Sequence, residues 1–238
     1  MPVVAIIQAR MGSTRLPGKA LMTLAGKPLL WHAIHRLRKC KSLNAIVLAT
    51  STLPENDAIA ALAESEGIPV YRGPEDNVLA RLAGCASAFE AEVVVRVNAD
   101  APLIDPVLID KLVQRLIAAE ADYVMPPPGA PCFHDGVDAM SRRVLDKLMR
   151  LVHRDPLARE HVAGFLKAHR RFARITSIDV EPALAVAGPS LSIDTPEDLA
   201  FFEQLYRRFD APPGELDLRA VAALYAAEGK SPTRTITR

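Results

Sequence analysis

Residues 3–19 read VVAIIQARMGSTRLPGK, a short apolar run that passes directly into a loop with two glycines and three cationic side chains. The run Val3–Ile7 alternates poorly between apolar and polar residues, which is typical of a strand buried on both faces of a parallel sheet. Further strands are predicted at Ala45–Ala49 and Val93–Val97. Helices are predicted to begin at Pro28, after Pro54 and at Pro106. This alternation predicts an α/β fold, a mostly parallel sheet with helices on both faces.

The composition narrows the possible classes of protein. The chain has 238 residues, of which 50% are hydrophobic and 24% charged, and its net charge is +1. These values exclude intrinsic disorder and collagen-like or disulfide-scaffold architectures, and they argue against nucleic-acid binding by bulk electrostatics. The charge is unevenly distributed, because eight basic residues precede the first acidic residue, Glu55. This asymmetry predicts a localised anion site near the N-terminus.

The cysteines and the N-terminal residues bear on the compartment. Cys40, Cys85 and Cys132 are widely spaced and form no CxxC pair, which indicates neither a zinc site nor a disulfide framework. The first residues lack the charged region of a signal peptide, and no stretch approaches the roughly 18 apolar residues of a membrane span. We therefore expect a cytoplasmic protein with no membrane insertion and no nucleic-acid partner.

The loop Gln8–Lys19 has the composition of a phosphate-binding segment. Glycines let backbone N–H groups approach phosphate oxygens, and the cations Arg10, Arg15 and Lys19 neutralise them. It is not a Walker A loop, because five residues instead of four separate its glycines and an alanine follows Lys19 where a metal-binding hydroxyl would stand. It is not a GxGxxG fingerprint either. The alternative interpretation is a basic surface turn.

Two aspartates follow predicted strands. Asp100 comes shortly after the run at 93–97, and Asp194 follows a predicted returning strand at Ser190–Ile193. Ligands of open α/β sheets bind beyond the carboxyl ends of the strands, so this pair would face the cationic loop and suits Mg²⁺ bound to a triphosphate. Each could instead form a turn by bonding its own backbone. Asp105 is interpreted as a helix N-cap.

The second half of the chain is less regular, beginning with the proline-rich segment 126–131. The remaining predicted elements are helices at Ser141–Leu151 and Pro156–His169, strands at Phe172–Ile178 and Ser190–Ile193, and a helix capped by Thr195. We expect a single domain over residues 1–238, in which 126–180 form an appended segment for the acceptor or for dimerisation. Residues 211–238 are expected to form a last helix and a tail.

With these residues assembled, the stretch Ile6–Lys19 resembles the signature of the SpsF-like branch of sugar cytidylyltransferases, a group related to the acylneuraminate and 3-deoxy-manno-octulosonate cytidylyltransferases. The resemblance continues through Arg72–Leu79, Asp100–Pro106, Asp155–Val162 and Ser192–Leu199. It covers residues 3–209, and its first and last segments are the most specific. It implies a three-layer, GT-A-like Rossmannoid nucleotidyltransferase fold, Mg²⁺ as the cofactor and a homodimer.

The resemblance also assigns roles, motif by motif. The implied catalytic residues are Arg10, Arg15, Lys19 and Asp100, and the implied metal ligands are Asp100 and Asp194. The implied nucleotide-binding residues are Gln8, Ala9, Arg10, Gly12, Ser13, Arg15, Lys19, Arg72 and Asn98. The implied acceptor-binding residues are Asp135, Gly136, Asp138, Arg159, Glu160 and His161. The implied reaction joins a 2-keto acid sugar or a sugar phosphate to the α-phosphate of CTP, releasing pyrophosphate and giving an activated sugar for surface polysaccharide.

The chain departs from the family pattern at three positions. Ala99 stands where the family has glycine, Met140 where relatives carry glutamate, and Ser192 where some sialic-acid enzymes have a second aspartate. Two alternatives stay open: the same fold with another nucleotide or a non-sugar acceptor, because base selection rests on backbone geometry, and a nucleotide-binding protein without turnover, which only the departures at Ala99 and Met140 support. A glycosyltransferase is disfavoured, because neither 98–100 nor 192–194 forms an Asp-x-Asp motif.

Overall fold

A mixed seven-stranded sheet forms the centre of the computed structural model, which describes residues 1–12, 15–125, 136–179, 181–185 and 191–228. The strands are β1 (Val3–Gln8), β2 (Thr23–Leu24), β3 (Lys27–Pro28), β4 (Ala45–Ser51), β5 (Val70–Gly73), β6 (Val93–Asn98), β7 (Tyr123–Met125), β8 (Val137–Ser141) and β9 (Ile175–Ser177). The sheet has the order β5-β4-β1-β6-β8-β7-β9, and β2 pairs with β3 in a separate hairpin. The strands β5, β4, β1 and β6 are parallel, whereas β8 is antiparallel to both neighbours. The prediction of a mostly parallel sheet is confirmed.

Helices cover both faces of this sheet, as predicted. They are α1 (Leu29–Leu37), α2 (Asp57–Ser65), α3 (Val78–Ala88), α4 (Pro106–Ala118), α5 (Arg142–Leu151), α6 (Pro156–Glu160), α7 (Val162–Ala168), α8 (Pro196–Arg208) and α9 (Leu218–Glu228). Alternate side chains of a strand point to opposite faces. Ala5 and Ile7 therefore pack with α1, α2 and α4, while Val4 and Ile6 pack with α3, α5 and α7.

A third apolar cluster joins the C-terminal helices to the hairpin. Leu24 of the hairpin packs with Phe202 and Tyr206 of α8 and with Val221 of α9. The start of α8 is fixed by the predicted cap: the side chain of Thr195 and that of a carboxylate three residues later exchange hydrogen bonds with the backbone. Within the described residues, no helix has the length and apolar character that crossing a membrane requires.

The structure corrects three of the predicted elements and adds one helix that was not predicted. The helix expected over Pro156–His169 is interrupted at His161, whose φ and ψ of −126° and 68° are not helical. The strand expected over 172–178 is limited to β9. Residues 191–193 do not form a strand. Their apolar pattern arises because Leu191 and Ile193 are buried in the third cluster. The helix α3 was not predicted. Residues 126–135, 186–190 and 229–238 lie outside the described part of the chain.

Candidate active site

The candidate active site lies at the carboxyl ends of β1 and β6, adjacent parallel strands that end in register at Gln8 and Asn98. The loop after β1 turns back at Gly18, whose φ of 71° lies in the left-handed region that favours glycine. The Gly18 N–H donates to the Met11 carbonyl at 3.1 Å, so the loop closes beside a cavity of about 420 Å³. We call it the larger cavity, to distinguish it from a smaller one beside it. The residues lining it are Gln8, Ala9, Arg10, Gly12, Arg15, Lys19, Ala20, Val78, Arg81, Arg96, Asn98, Ala99, Asp100, Glu160 and His161.

Lys19 links the two predicted metal ligands. Its ammonium donates to Asp100 Oδ2 and, at 3.0 Å, to Asp194 Oδ1. Burial lowers the pKa of the Lys19 ammonium, but the charges and hydrogen bonds of the two carboxylates outweigh it and raise that pKa above its ordinary value. Burial raises the pKa of the Asp194 carboxyl, but Lys19, Arg15 and a hydrogen bond from Ser192 together hold that pKa below its ordinary value. Lys19 is therefore charged at neutral pH, and the Asp194 carboxyl is ionised.

The backbone holds Asp194 opposite Asp100 although no strand precedes it. The N–H of Ile193 donates to the Asp100 carbonyl at 2.8 Å, which ties the two segments together. The N–H groups of Asp194 and Thr195 both donate to Asp198 Oδ2 at 2.9 Å, within the capped start of α8. The position of the second carboxylate is thus a consequence of helix capping and one long-range hydrogen bond.

The other two loop cations are also paired with carboxylates. Arg15 is mostly exposed and lies 2.9 Å from Asp194 Oδ1. The guanidinium of Arg10 donates to the Glu75 carbonyl at 2.9 Å and to Glu160 Oε1 at 2.7 Å. Each cation predicted to hold a triphosphate therefore faces the cavity with a carboxylate at its end, and an incoming phosphate would compete with that carboxylate.

The two aspartates fit a divalent cation bound jointly with a ligand. Asp100 Oδ1 is buried and has no hydrogen-bond partner among the described residues, so one oxygen is available to a cation. No group of three or more His, Cys, Asp or Glu side chains suited to a metal occurs in the described part of the chain. Mg²⁺ typically takes one or two carboxylates and completes its shell with water and substrate phosphates. Asp100 and Asp194 match that donor set.

A smaller cavity of about 300 Å³ adjoins the larger one on the side of α6 and α7. The residues lining it are Gln8, Val78, Arg96, Asn98, Glu160, His161, Val162, Ala163, Gly164 and Lys167. Arg96 and Lys167 bring positive charge to this smaller cavity, while Glu160 is already paired with Arg10. Glu160 and His161 reach both cavities because the chain breaks its helical path between α6 and α7.

Asp138 is the counter-ion of Arg96 and lines neither cavity. The two residues face each other across β6 and β8, where Arg96 donates to Asp138 Oδ2 and the Tyr123 hydroxyl donates to Asp138 Oδ1. Burial alone would raise the pKa of the Asp138 carboxyl, but the charges of Arg96 and Lys167 hold it below its ordinary value. Contact between Asp138 and an acceptor sugar was predicted, and the structure instead places its side chain inside the protein.

The structure brings most of the predicted site residues together. Those that line the larger cavity are Gln8, Ala9, Arg10, Gly12, Arg15, Lys19, Asn98, Asp100, Glu160 and His161. Arg72 does not reach it, because it lies within β5 and pairs with Asp57 at 2.6 Å. Arg159 points to Asp76, 3.1 Å away, and Gly136 contributes its carbonyl to the N–H of Asn98. Ser13 and Asp135 lie outside the described residues.

Several cavity residues were missed by the sequence analysis. Arg96 carried a signal, since it is the single charged residue in the apolar run 93–97 and a buried charge needs a partner. Arg81 gave none, because it belongs to the helix that was not predicted, where it donates to the carbonyl of Glu75. The departure at Met140 has a simple explanation, because Met140 is fully buried in the apolar layer and faces no cavity.

The mostly parallel sheet, the cationic loop after its first strand and the carboxylate pair beyond it are typical of an α/β protein that binds a phosphorylated ligand at its strand ends. The chain belongs to the cytidylyltransferase family: a model of that family matches residues 4–228. It is similar to the spore coat polysaccharide biosynthesis protein SpsF of Bacillus subtilis, at 30% identity over 89% of each chain. It is also similar to the 3-deoxy-manno-octulosonate cytidylyltransferase of Geobacter sulfurreducens, at 39% identity over 49% of this chain and 46% of that one.

Solved structures show the same fold. A cytidylyltransferase from Leptospira borgpetersenii superposes with a TM-score of 0.86 at 23% identity, covering 100% of both chains. A CMP:2-keto-3-deoxy-manno-octonic acid synthetase complexed with CTP superposes with a TM-score of 0.66 at 23% identity, covering 88% of this chain and 100% of that one. The GT-A-like nucleotidyltransferase fold that the sequence resemblance implies is confirmed.

Proposed function

We propose that this protein is a CTP-dependent sugar cytidylyltransferase, which transfers the cytidylyl group to a small sugar and releases pyrophosphate. The observation that carries the proposal is the Lys19 ammonium held between Asp100 and Asp194 beside the larger cavity, with Arg10 and Arg15 on the same loop. Membership of the cytidylyltransferase family and the likeness to SpsF support it. The product would be a CMP-sugar from a 2-keto acid sugar, or a CDP-sugar from a sugar phosphate, for surface polysaccharide or another glycan.

The three loop cations supply the charge that a triphosphate requires. Arginine binds phosphate through two parallel N–H donors, whereas lysine acts as a compact point charge. Lys19 lies next to the carboxylates and so is the cation to stabilise charge on the α-phosphate and the departing pyrophosphate. Arg10 and Arg15 would orient the rest of the triphosphate, and the end of β1 at Gln8 and Ala9 would face the base.

Enzymes of this family generally use a divalent metal, and we propose Mg²⁺ here, with Asp100 and Asp194 as its protein ligands. When bound, such an ion supplies Lewis-acid stabilisation of phosphate charge. The side chains of the loop complement that contribution by holding the triphosphate in one orientation, which is the main requirement of phosphoryl-type transfer.

The acceptor would bind in the smaller cavity. Arg96 and Lys167 line it, and their N–H groups would bind an anionic group of the acceptor, a 2-keto acid sugar or a sugar phosphate, in exchange for part of their contact with Asp138. An oxygen of the acceptor attacks the α-phosphorus, and a hydroxyl would give up its proton to solvent as it does so. The bond from the α-phosphorus to the oxygen that bridges it to the β-phosphate breaks on the opposite side, so that pyrophosphate leaves. His161, which lines both cavities, lies at the boundary that the two substrates would share.

Pyrophosphate release tests the proposal. The full chain is incubated with Mg²⁺ and CTP, ATP, GTP or UTP in turn, against a panel of 2-keto acid sugars and sugar 1-phosphates. Turnover with CTP and one sugar class is expected. The Lys27→Gln variant is the matched control, because Lys27 lies over the Trp31 ring and lines neither cavity. Preference for another nucleotide, or nucleotide binding with no turnover, would contradict the proposal.

The expected quaternary structure and location belong to the same proposal. The family resemblance implies a homodimer, and we propose one that works in the cytoplasm. Light scattering coupled to gel filtration measures the mass directly, and a particle of twice the 25.8 kDa chain mass is expected. A species with the mass of one chain at working concentration would contradict the dimer without affecting the proposed reaction.

A further inference from the structure

The Lys19 ammonium occupies the space between the two carboxylates that the proposed function assigns to the metal. Its nitrogen contacts Asp100 Oδ2 and lies 3.0 Å from Asp194 Oδ1, and the Arg15 guanidinium lies 2.9 Å from the same Asp194 oxygen. Two negative charges are thus neutralised by two positive charges of the protein itself. All three side chains nearest the centre are more than four-fifths covered, since Lys19, Asp100 and Asp194 are 18%, 16% and 19% exposed.

This arrangement sets a barrier to a divalent cation that arrives alone. The cation would have to replace Lys19, and it would meet the repulsion of two protein cations at a short distance in a partly buried site, where charge–charge energies are larger than in water. The affinity of the pair of carboxylates for a metal ion is therefore low while Lys19 and Arg15 remain paired with them. Asp100 Oδ1 is buried and has no hydrogen-bond partner within the described part of the chain, so Lys19 satisfies only part of the site.

A triphosphate changes this balance. It brings negative charge to the loop, and Lys19 and Arg15 gain a stronger partner than a carboxylate. Lys19 is the first residue of a short 3-10 turn, Lys19–Leu21, which follows the left-handed Gly18. The exchange that we infer requires only that the Lys19 side chain rotate from the carboxylates towards the phosphates. The carboxylates released in this way are then free to take up a cation.

We propose that Lys19 is the resident counter-ion of the metal site, and that the nucleotide, by drawing Lys19 away, creates the divalent-cation site that it shares with Asp100 and Asp194. This inference rests on the proposed function and deepens it. It gives Lys19 a positioning role before catalysis, separate from its stabilisation of phosphate charge. Because coupling between two ligands is reciprocal, nucleotide and metal should each strengthen the binding of the other.

Manganese binding to the nucleotide-free protein tests the inference. The full chain is titrated with Mn²⁺ alone, and the signal of the free ion in electron paramagnetic resonance gives the bound fraction. The variants are Lys19→Gln, Arg15→Gln, Lys19→Gln combined with Asp100→Asn, and the control Lys27→Gln. Lys19→Gln should bind Mn²⁺ about 10- to 100-fold more tightly than the wild type, the ordinary range of coupling between sites. Arg15→Gln should show a smaller gain, and Lys27→Gln none.

The double variant identifies where the added manganese binds. If Lys19→Gln exposes the predicted site, Asp100→Asn should abolish its gain. Arg15 is 67% exposed, so Arg15→Gln keeps the test decisive even if Lys19→Gln fails to fold. Wild-type protein that binds Mn²⁺ as tightly as both single variants would overturn the inference, as would a gain that survives Asp100→Asn.

The outcome is separable from the proposed function. Pyrophosphate release from CTP by wild-type protein that also binds Mn²⁺ tightly without nucleotide would retain the function and reject the role of Lys19 as counter-ion. The opposite pattern, in which Lys19→Gln gains Mn²⁺ affinity but no nucleotide supports turnover, would reject the function and retain the counter-ion role.

Discussion

The ion pair between Arg96 and Asp138 predicts a large loss of stability when Asp138 is replaced. The carboxylate is 3% exposed and accepts hydrogen bonds from both Arg96 and the Tyr123 hydroxyl. Removing one member of a buried pair typically costs about 3–5 kcal/mol, because the other charge stays buried without compensation. Arg96 keeps contacts with Asn98 Oδ1 at 2.8 Å and Gln8 Oε1 at 3.3 Å. The expected cost of Asp138→Ala is therefore at the low end, about 3 kcal/mol.

Urea denaturation followed by circular dichroism measures this cost, and a melting temperature lower by about 6–12 °C should accompany it in a chain of this size. Tyr123→Phe is the matched control, since it removes one hydrogen bond to Asp138 and leaves the ion pair intact, at a cost of about 1.5–3 kcal/mol. An Asp138→Ala variant within about 0.5 kcal/mol of the wild type, the range of ordinary surface substitutions, would refute the reasoning. Wild-type stability with a raised KM for the acceptor would restore the sugar contact predicted from the sequence.

Three further predictions follow from the same structure. Lys19→Ala should keep the wild-type circular dichroism spectrum but release pyrophosphate about 10²–10³ times more slowly, the usual effect of removing one preorganised stabilising group. Full activity of this variant would contradict the role of Lys19. Gly84→Ala should lower the free energy of unfolding by about 1–3 kcal/mol, because the added Cβ would overlap the Tyr71 hydroxyl. The loss should be smaller in a Tyr71→Phe background, and equal losses in both backgrounds would argue against the clash. Burial lowers the pKa of His32 below its ordinary 6.5, so the neutral ring favours the fold, and the free energy of unfolding in urea should be full above pH 6.5 and fall as the pH is lowered below it. His32→Gln should lose that pH dependence, and an unchanged slope would contradict the prediction.

The sheet and its caps were predictable because their signals are local. Continuous apolar runs identify β1, β4 and β6, and the caps at Asp105 and Thr195 fix the starts of α4 and α8 within single turns. The helix α3 was missed, although Asn77 caps it by accepting a hydrogen bond from Ala80, because its alanine-rich sequence shows only a weak apolar face. The apolar side chains of residues 191–193 led to the prediction of a strand, but these side chains pack in the third cluster and not in the sheet.

Most of the candidate site was predictable for the same reason. Lys19 lies in a glycine-containing cationic loop and Asp100 lies just after a strand end, and both positions are typical of ligand sites in α/β sheets. The role of Asp138 was not, because its partner is 42 residues away and is set by the register of β6 and β8. A charged residue inside an apolar strand predicts that a counter-ion exists, but the strand pairing decides which one. Asp138 follows a glycine turn, and so its sequence context resembles that of a loop residue.

The most direct test of the proposed reaction is metal-dependent pyrophosphate release from CTP. It is compared between wild-type protein, Asp100→Asn and the control Lys27→Gln. With the accepted sugar present, wild type and Lys27→Gln should release pyrophosphate from CTP at equal rates, and Asp100→Asn should lose at least about 10² in rate, as expected for a group that acts on the reacting phosphates. Asp100→Asn protein with wild-type turnover would contradict the assignment of this carboxylate pair, and with it the site.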